Sequence, residues 1–157
     1  MNTDNENILL HPELIYFDVE AEDNEDLIAK LASSLEKEGY VKETYRGAVI
    51  EREKNYPTGL RTNGVHVAIP HTDSNHVNKT AIVVANLKKA IKFKEMGLNT
   101  GEVDAELVFL LAVKNPKNQV DTLSKLMAVF SDGEKLLKIK NSEEKREIID
   151  ILGKELA

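Results

Sequence analysis

Cysteine and tryptophan are both missing from the 157 residues. Without a thiol the chain has no disulfide framework, no thiolate metal centre and no cysteine nucleophile. Aromatic residues make up 5%, and 27 Asp and Glu outnumber 21 Lys and Arg, giving a formal net charge of −6. A nucleic-acid binder needs a basic face for phosphates and rings for stacking, so nucleic acid is not an expected partner. No apolar run approaches the roughly 18 residues of a membrane span. The start, "MNTDNENILLHPE", is acidic where a secretory signal is basic and then apolar. No membrane insertion is expected, and the expected compartment is the cytoplasm. Nor is there a Walker loop, a Gly-rich phosphate loop or an evident Mg²⁺ carboxylate pair, so no cofactor is expected.

What is present is the composition of a folded domain. Hydrophobic residues at 41% and charged residues at 31% suit a soluble core rather than a disordered chain. With no repeat, low-complexity segment or Pro/Gly/Ser-rich linker, one domain over residues 1–157 is expected, residues 1–12 being a loose lead-in. "LIYFDV" predicts a short strand carrying Leu14, Tyr16 and Val19. Leu27, Ile28, Leu31, Ala32 and Leu35 form one stripe and predict a helix over 24–37, with Asn24 as cap and Gly39 past its end. A second helix is predicted over 42–53, with Val41, Tyr45, Ala48, Val49 and Arg52 on one face. "NYPTGL" stops it, since Pro57 and Gly59 do not continue a helix.

Val65, Val67 and Ile69 alternate into a short strand that ends at Pro70. "TAIVVANLK" (80–88) and "AELVFLLAV" (105–113) are continuous, branched and the right length for buried strands. The intervening stretch, from "IKFKEMG" to Asp104, reads as turn and edge elements. The last third is helical: one helix marked by Val120, Leu123, Leu126, Met127 and Phe130, a short one at "DGEKLLKI", and one opened by Ser142. Two helices, a set of strands and more helices predict an α/β (α+β) sandwich on a mixed central sheet.

Three of the four histidines fall within residues 66–76, in "HVAIPHTDSNH". His71 follows the strand at the point where a loop begins, and Pro70 fixes the stub that carries it. Neutral imidazole is a nucleophile near pH 7. Thr72, Asp73 and Ser74 add turn-forming hydroxyl and carboxylate groups. By itself such a histidine is more often structural or merely exposed than catalytic. A zinc site from His66, His71, His76 and Asp73 fits on ligand type, but steps of five residues diverge on a helix or strand, so no metal is expected. His11 belongs to the lead-in.

The conjunction of an arginine on a helix's apolar face, "YPTGL" and "VAIPHTD" resembles the IIA components of the bacterial sugar phosphotransferase system. Within these it is most similar to the fructose–mannitol (type 2) superfamily and its galactitol-specific branch. "LASSLEKEGYV", "FKEMG" and "LVFLLAVKNPKNQVDTLSKLM" extend the resemblance from about Leu14 to Leu152. It implies a phosphocarrier: His71 accepts a phosphoryl group from phospho-HPr and passes it to a cysteine of the EIIB component, upstream of the membrane EIIC. It also implies that Arg52 stabilises the phosphoryl group, a use suited to a permanently charged fork. The alternative for Arg52 is a surface charge whose stem packs on the helix.

Thr58, Thr72 and Asn118 are candidate hydrogen-bond donors to the phosphoryl group, turn capping being the alternative for both threonines. Mannitol-type relatives carry a second histidine near the helix after the third long strand, where this chain has Asn118 or Gln119. Either amide can hydrogen-bond but not change charge. "LRTNGV" beside the site is a candidate partner contact. Two further functions compete: a regulatory module of the same fold whose His71 phosphorylation controls a partner protein, and a plain binding domain in which His71 is inert.

Overall fold

The two continuous apolar runs become the centre of the sheet. A computed structural model describes residues 10–97 and 101–156. Its strands are β1 (Leu10–Val19), β2 (Gly59–Leu60), β3 (Val67–Ala68), β4 (Ala81–Lys94) and β5 (Glu102–Ala112). They lie in the order β1-β4-β5-β3-β2. The β1–β4 and β3–β5 pairs are parallel, whereas β4–β5 and β2–β3 are antiparallel, so the sheet is mixed as the sequence predicts.

Residues 81–85 and 107–112 are buried on both faces, which is why they read as unbroken apolar runs rather than alternations. Helices cover the two faces: α1 (Asn24–Lys37) and α2 (Tyr45–Asn55) on one, α3 (Pro116–Phe130), α4 (Gly133–Asn141) and α5 (Lys145–Leu156) on the other. One core joins Leu27, Leu31, Leu35, Tyr45 and Val49 to Val83 and Leu110. The other joins Leu126, Ile139, Ile148 and Leu152 to Val84 and Phe109. The Tyr45 hydroxyl donates to the Leu111 carbonyl and ties α2 to the central strand.

Several expectations need correction. β1 already begins at Leu10, inside the supposed lead-in, whose residues 1–9 lie outside those described. Asp23 rather than Asn24 caps α1, its Oδ1 accepting from the Asp26 N–H at 2.8 Å. The turn-and-edge stretch is instead an extension of the β4–β5 hairpin: Ile91 pairs with Ala105, and Lys94 with Glu102. Residues 98–100 of it are outside those described. The second helix starts at Tyr45, because Val41 is bridged to Val77. Its buried residues are Tyr45, Val49 and Glu53, so a carboxylate takes the inward place one turn after Val49. On α3 the inward set is Thr122, Leu126, Val129 and Phe130, leaving Val120 70% and Met127 39% exposed.

Candidate active site

The first layer of the site is the turn between α2 and β2. Pro57, Thr58 and Gly59 are all buried. Gly59 passes so close to β4 that an added Cβ would lie 2.7 Å from the Lys94 carbonyl oxygen and 3.1 Å from Phe93 Cβ. The Met96 N–H donates to the Gly59 carbonyl at 2.8 Å, fastening the same approach. Only glycine fits there.

Thr58 is held by Glu53. Its N–H and its hydroxyl donate to the two carboxylate oxygens, each at 2.9 Å. Its Oγ1 in turn accepts from the Ile69 N–H at 3.2 Å. While Glu53 is ionised, the Thr58 hydroxyl proton is engaged by it, although Thr58 also lines the cleft that Arg52 and His71 share. Burial pushes the Glu53 carboxyl up to about 7, against the opposing pull of the Thr58 bonds and the Arg52 charge.

β3 delivers the histidine. It is only two residues long, yet Val65, Ile69 and Pro70 around it are also buried. The Leu111 N–H donates to the Pro70 carbonyl at 3.1 Å, so the stub is fastened to the central sheet. His71 is half-buried, and its Nδ1 lies 2.9 Å from the Ile69 carbonyl oxygen. A carbonyl can only accept, so Nδ1 carries the proton and the lone pair of the neutral ring is on Nε2. Burial is the main influence lowering the His71 pKa, and Arg52 adds to it; the Ile69 bond and Asp73 oppose. The ring is neutral at pH 7 and nucleophilic at Nε2.

Arg52 and His71 line one cleft of about 560 Å³, with Tyr56, Leu123, Met96 and Met127 among its other walls. The guanidinium carbon lies 5.1 Å from the centre of the Tyr56 ring, a cation–π arrangement that orients it. The Arg52 Nε–H is buried and has no hydrogen-bond partner among the described residues. A guanidinium and a neutral imidazole lining the same cleft suit a tetrahedral anion carried on that ring.

The remaining candidates separate. Thr72 is buried, and its carbonyl accepts from the Gln119 side-chain amide at 2.8 Å. Asn118, one residue earlier on α3, is exposed and outside the cleft lining. A helix turns about 100° per residue, so only one of the two adjacent amides can face the His71 loop. That amide is Gln119, not Asn118. His66 and His76 are engaged elsewhere: the Thr62 N–H donates to His66 Nδ1 at 3.1 Å, and His76 Nδ1 lies 2.8 Å from Thr44 Oγ1. Among the described residues, no three His, Asp or Glu side chains converge on a metal-sized point. Nor is any described helix long and apolar enough to cross a membrane.

Glu53, which holds the cleft-lining Thr58 from behind, was not singled out by sequence reasoning. Its signal was the spacing Tyr45, Val49, Glu53, a four-residue stripe that ends in an acid and precedes a threonine by five.

The Transcriptional regulator ManR of Bacillus subtilis is 35% identical over 104 residues, 66% of this chain and 14% of the regulator. The PTS system galactitol-specific EIIA component of Escherichia coli K12 is 28% identical over 101 residues, 64% of this chain and 67% of that protein. This chain thus spans only a small part of the regulator and about two thirds of the galactitol component. Among solved structures, enzyme IIA of the Escherichia coli mannitol system, in complex with phosphorylated enzyme IIB, superposes with a TM-score of 0.75. It is 26% identical, and the match covers 93% of this chain and 99% of that one. Residues 8–155 match the family described as phosphoenolpyruvate-dependent sugar phosphotransferase system, EIIA 2. The chain belongs to that family.

Proposed function

We propose that the protein is a phosphocarrier that takes a phosphoryl group from phospho-HPr onto Nε2 of His71 and hands it to a cysteine of a cognate EIIB, during uptake of a galactitol-type polyol. It would work in the cytoplasm, with the membrane EIIC downstream. One observation carries the reading. The His71 proton sits on Nδ1, leaving the Nε2 lone pair free on a ring that lines one cleft together with the Arg52 guanidinium.

The chemistry balances. The Nε2 lone pair forms a bond to phosphorus as the nitrogen–phosphorus bond of the donor breaks and the donor imidazole leaves with that electron pair. The His71 ring keeps its Nδ1 proton and gains positive charge, which the Ile69 carbonyl stabilises. Arg52 faces charge spread over the equatorial oxygens of a loose transition state. A thiolate sulfur of EIIB then repeats the displacement, and His71 returns to neutral. The Thr72 hydroxyl is a further candidate donor to the phosphoryl oxygens. Tyr56, 65% exposed, and Met127 give the rim of the cleft an apolar contact surface for protein partners.

The direct test incubates the protein with enzyme I, HPr and phosphoenolpyruvate and follows its mass. An acid-labile gain of one phosphoryl group is expected, and His71→Ala abolishes it. Survival of that gain in the alanine variant would end the assignment.

The similarity to a transcriptional regulator supports a second reading, in which His71 phosphorylation controls a partner protein instead of feeding transport. The two diverge on one assay. A transport component passes its phosphoryl group rapidly to a purified EIIB of galactitol or mannitol type, whereas a regulatory module retains it.

A further inference from the structure

We propose that Glu53 is a positioning residue for phosphoryl acceptance, acting through Thr58 and Ile69 to hold the His71 ring with Nε2 toward the cleft. This deepens the phosphocarrier reading and rests on it. The geometry is a chain of hydrogen bonds from a buried acid to the imidazole. Both Glu53 oxygens accept from Thr58, one from its N–H and one from its hydroxyl, each at 2.9 Å. When Glu53 is ionised and takes its proton, the Thr58 oxygen turns a lone pair to the Ile69 N–H at 3.2 Å. The Ile69 carbonyl then takes the Nδ1–H of His71 at 2.9 Å.

Each link constrains the next. A hydroxyl is a rotor that can donate in many directions, and the bidentate hold of one carboxylate on one threonine removes that freedom. Ile69 precedes a proline that has no N–H to offer, and the Pro70 carbonyl is already fixed by Leu111. The Ile69 N–H is therefore the backbone donor next to the proline, between it and the short β3 ladder. Glu53 is 6% exposed and Thr58 3%, so neither finds water as a substitute partner. Arg52, the neighbour of Glu53 on α2, lines the His71 cleft, so one helical turn carries both the phosphoryl clamp and the anchor of the acceptor. Sub-ångström placement of reacting groups is worth large factors in rate.

Glu53→Gln keeps one acceptor for the Thr58 N–H but turns an amide donor on the Thr58 hydroxyl, so the acceptor that fixes that rotor is lost. Thr58→Val keeps the shape and removes the hydroxyl, and Thr58→Ser restores it. Two quantities are read on the full-length chain: kcat and KM for phosphoryl uptake from phospho-HPr, and the ¹⁵N chemical shifts of the His71 ring in unphosphorylated protein. We expect Glu53→Gln and Thr58→Val each to lower kcat by roughly tenfold or more with little change in KM. We also expect the ring to lose its pure Nδ1–H signature, and Thr58→Ser to return both readouts to wild type. Should Glu53→Gln fail to fold, Thr58→Val against Thr58→Ser carries the same comparison.

Folded variants with wild-type kcat and an unchanged ring tautomer overturn the proposal. The ring signature requires no phosphorylation, so the two levels fail separately. A wild-type protein that never accepts phosphate, yet whose tautomer responds to Thr58→Val, removes the phosphocarrier reading and keeps the positioning one. A wild-type protein that is phosphorylated, with variants identical to it, removes the positioning reading alone.

Discussion

At the residue scale the account turns on two titrating groups held away from their ordinary behaviour. His71 is kept neutral mainly by burial, with help from Arg52. Removing the guanidinium by Arg52→Ala should raise the His71 pKa toward its ordinary 6.5 and slow phosphoryl uptake. An NMR pH titration of the ring measures the first effect; a pKa that stays put or falls contradicts the electrostatic part of the account. Glu53 behaves in the opposite sense. A carboxyl held at about 7 when folded, and near 4.5 when unfolded, binds more protons in the folded state between those values. Its contribution to stability is full below 4.5 and is lost as pH rises through 7, by roughly 3 kcal/mol at most. Urea unfolding measured from pH 4.5 to 8 should show that decline, and Glu53→Gln should flatten it. Neither residue's environment was visible in the linear pattern. His71 announced itself by its place after "AIP", whereas Glu53 looked like one more charge on a helix surface.

At the scale of elements, the short β2 and β3 matter more than their length suggests. Together they hold "PTGL" and "VAIPH" side by side, with Gly59 opposite Ala68 and Leu60 opposite Val67. Gly59→Ala would force a Cβ against the Lys94 carbonyl and the Phe93 side chain. Overpacking of this kind costs about 1–3 kcal/mol, so a lower urea midpoint with unchanged slope is expected. The long strands and α1 were legible because burial writes its period directly into their sequence. The helix faces were less so. Thr122 packs inward and Val120 outward on α3, which residue type alone ranks the other way. The hairpin extension was misjudged because two lysines alternate with Ile91 and Phe93; that alternation was itself the strand signal.

At the scale of the whole molecule, one sheet separates two cores, and the cleft opens where α2, the β3 stub and α3 meet. Arg52 comes from α2, His71 from the loop after β3, and Leu123 and Met127 from α3. Those segments are far apart in the chain, so no spacing rule could have brought them together. The resemblance carried by the motifs named His71 and Arg52, and folding places them on one cleft. What motifs could not convey was which amide reaches the loop. The helical rotation of α3 decided that in favour of Gln119. Nor could they show that the Thr58 hydroxyl bonds to a carboxylate of the preceding helix.

The most direct measurement is a ³¹P–¹⁵N correlation spectrum of uniformly ¹⁵N-labelled protein, phosphorylated through enzyme I and HPr. The account predicts a single phosphorus bonded to Nε2 of His71, with the proton retained on Nδ1. Phosphorus on Nδ1 of that ring, or on His66 or His76 instead, would contradict it.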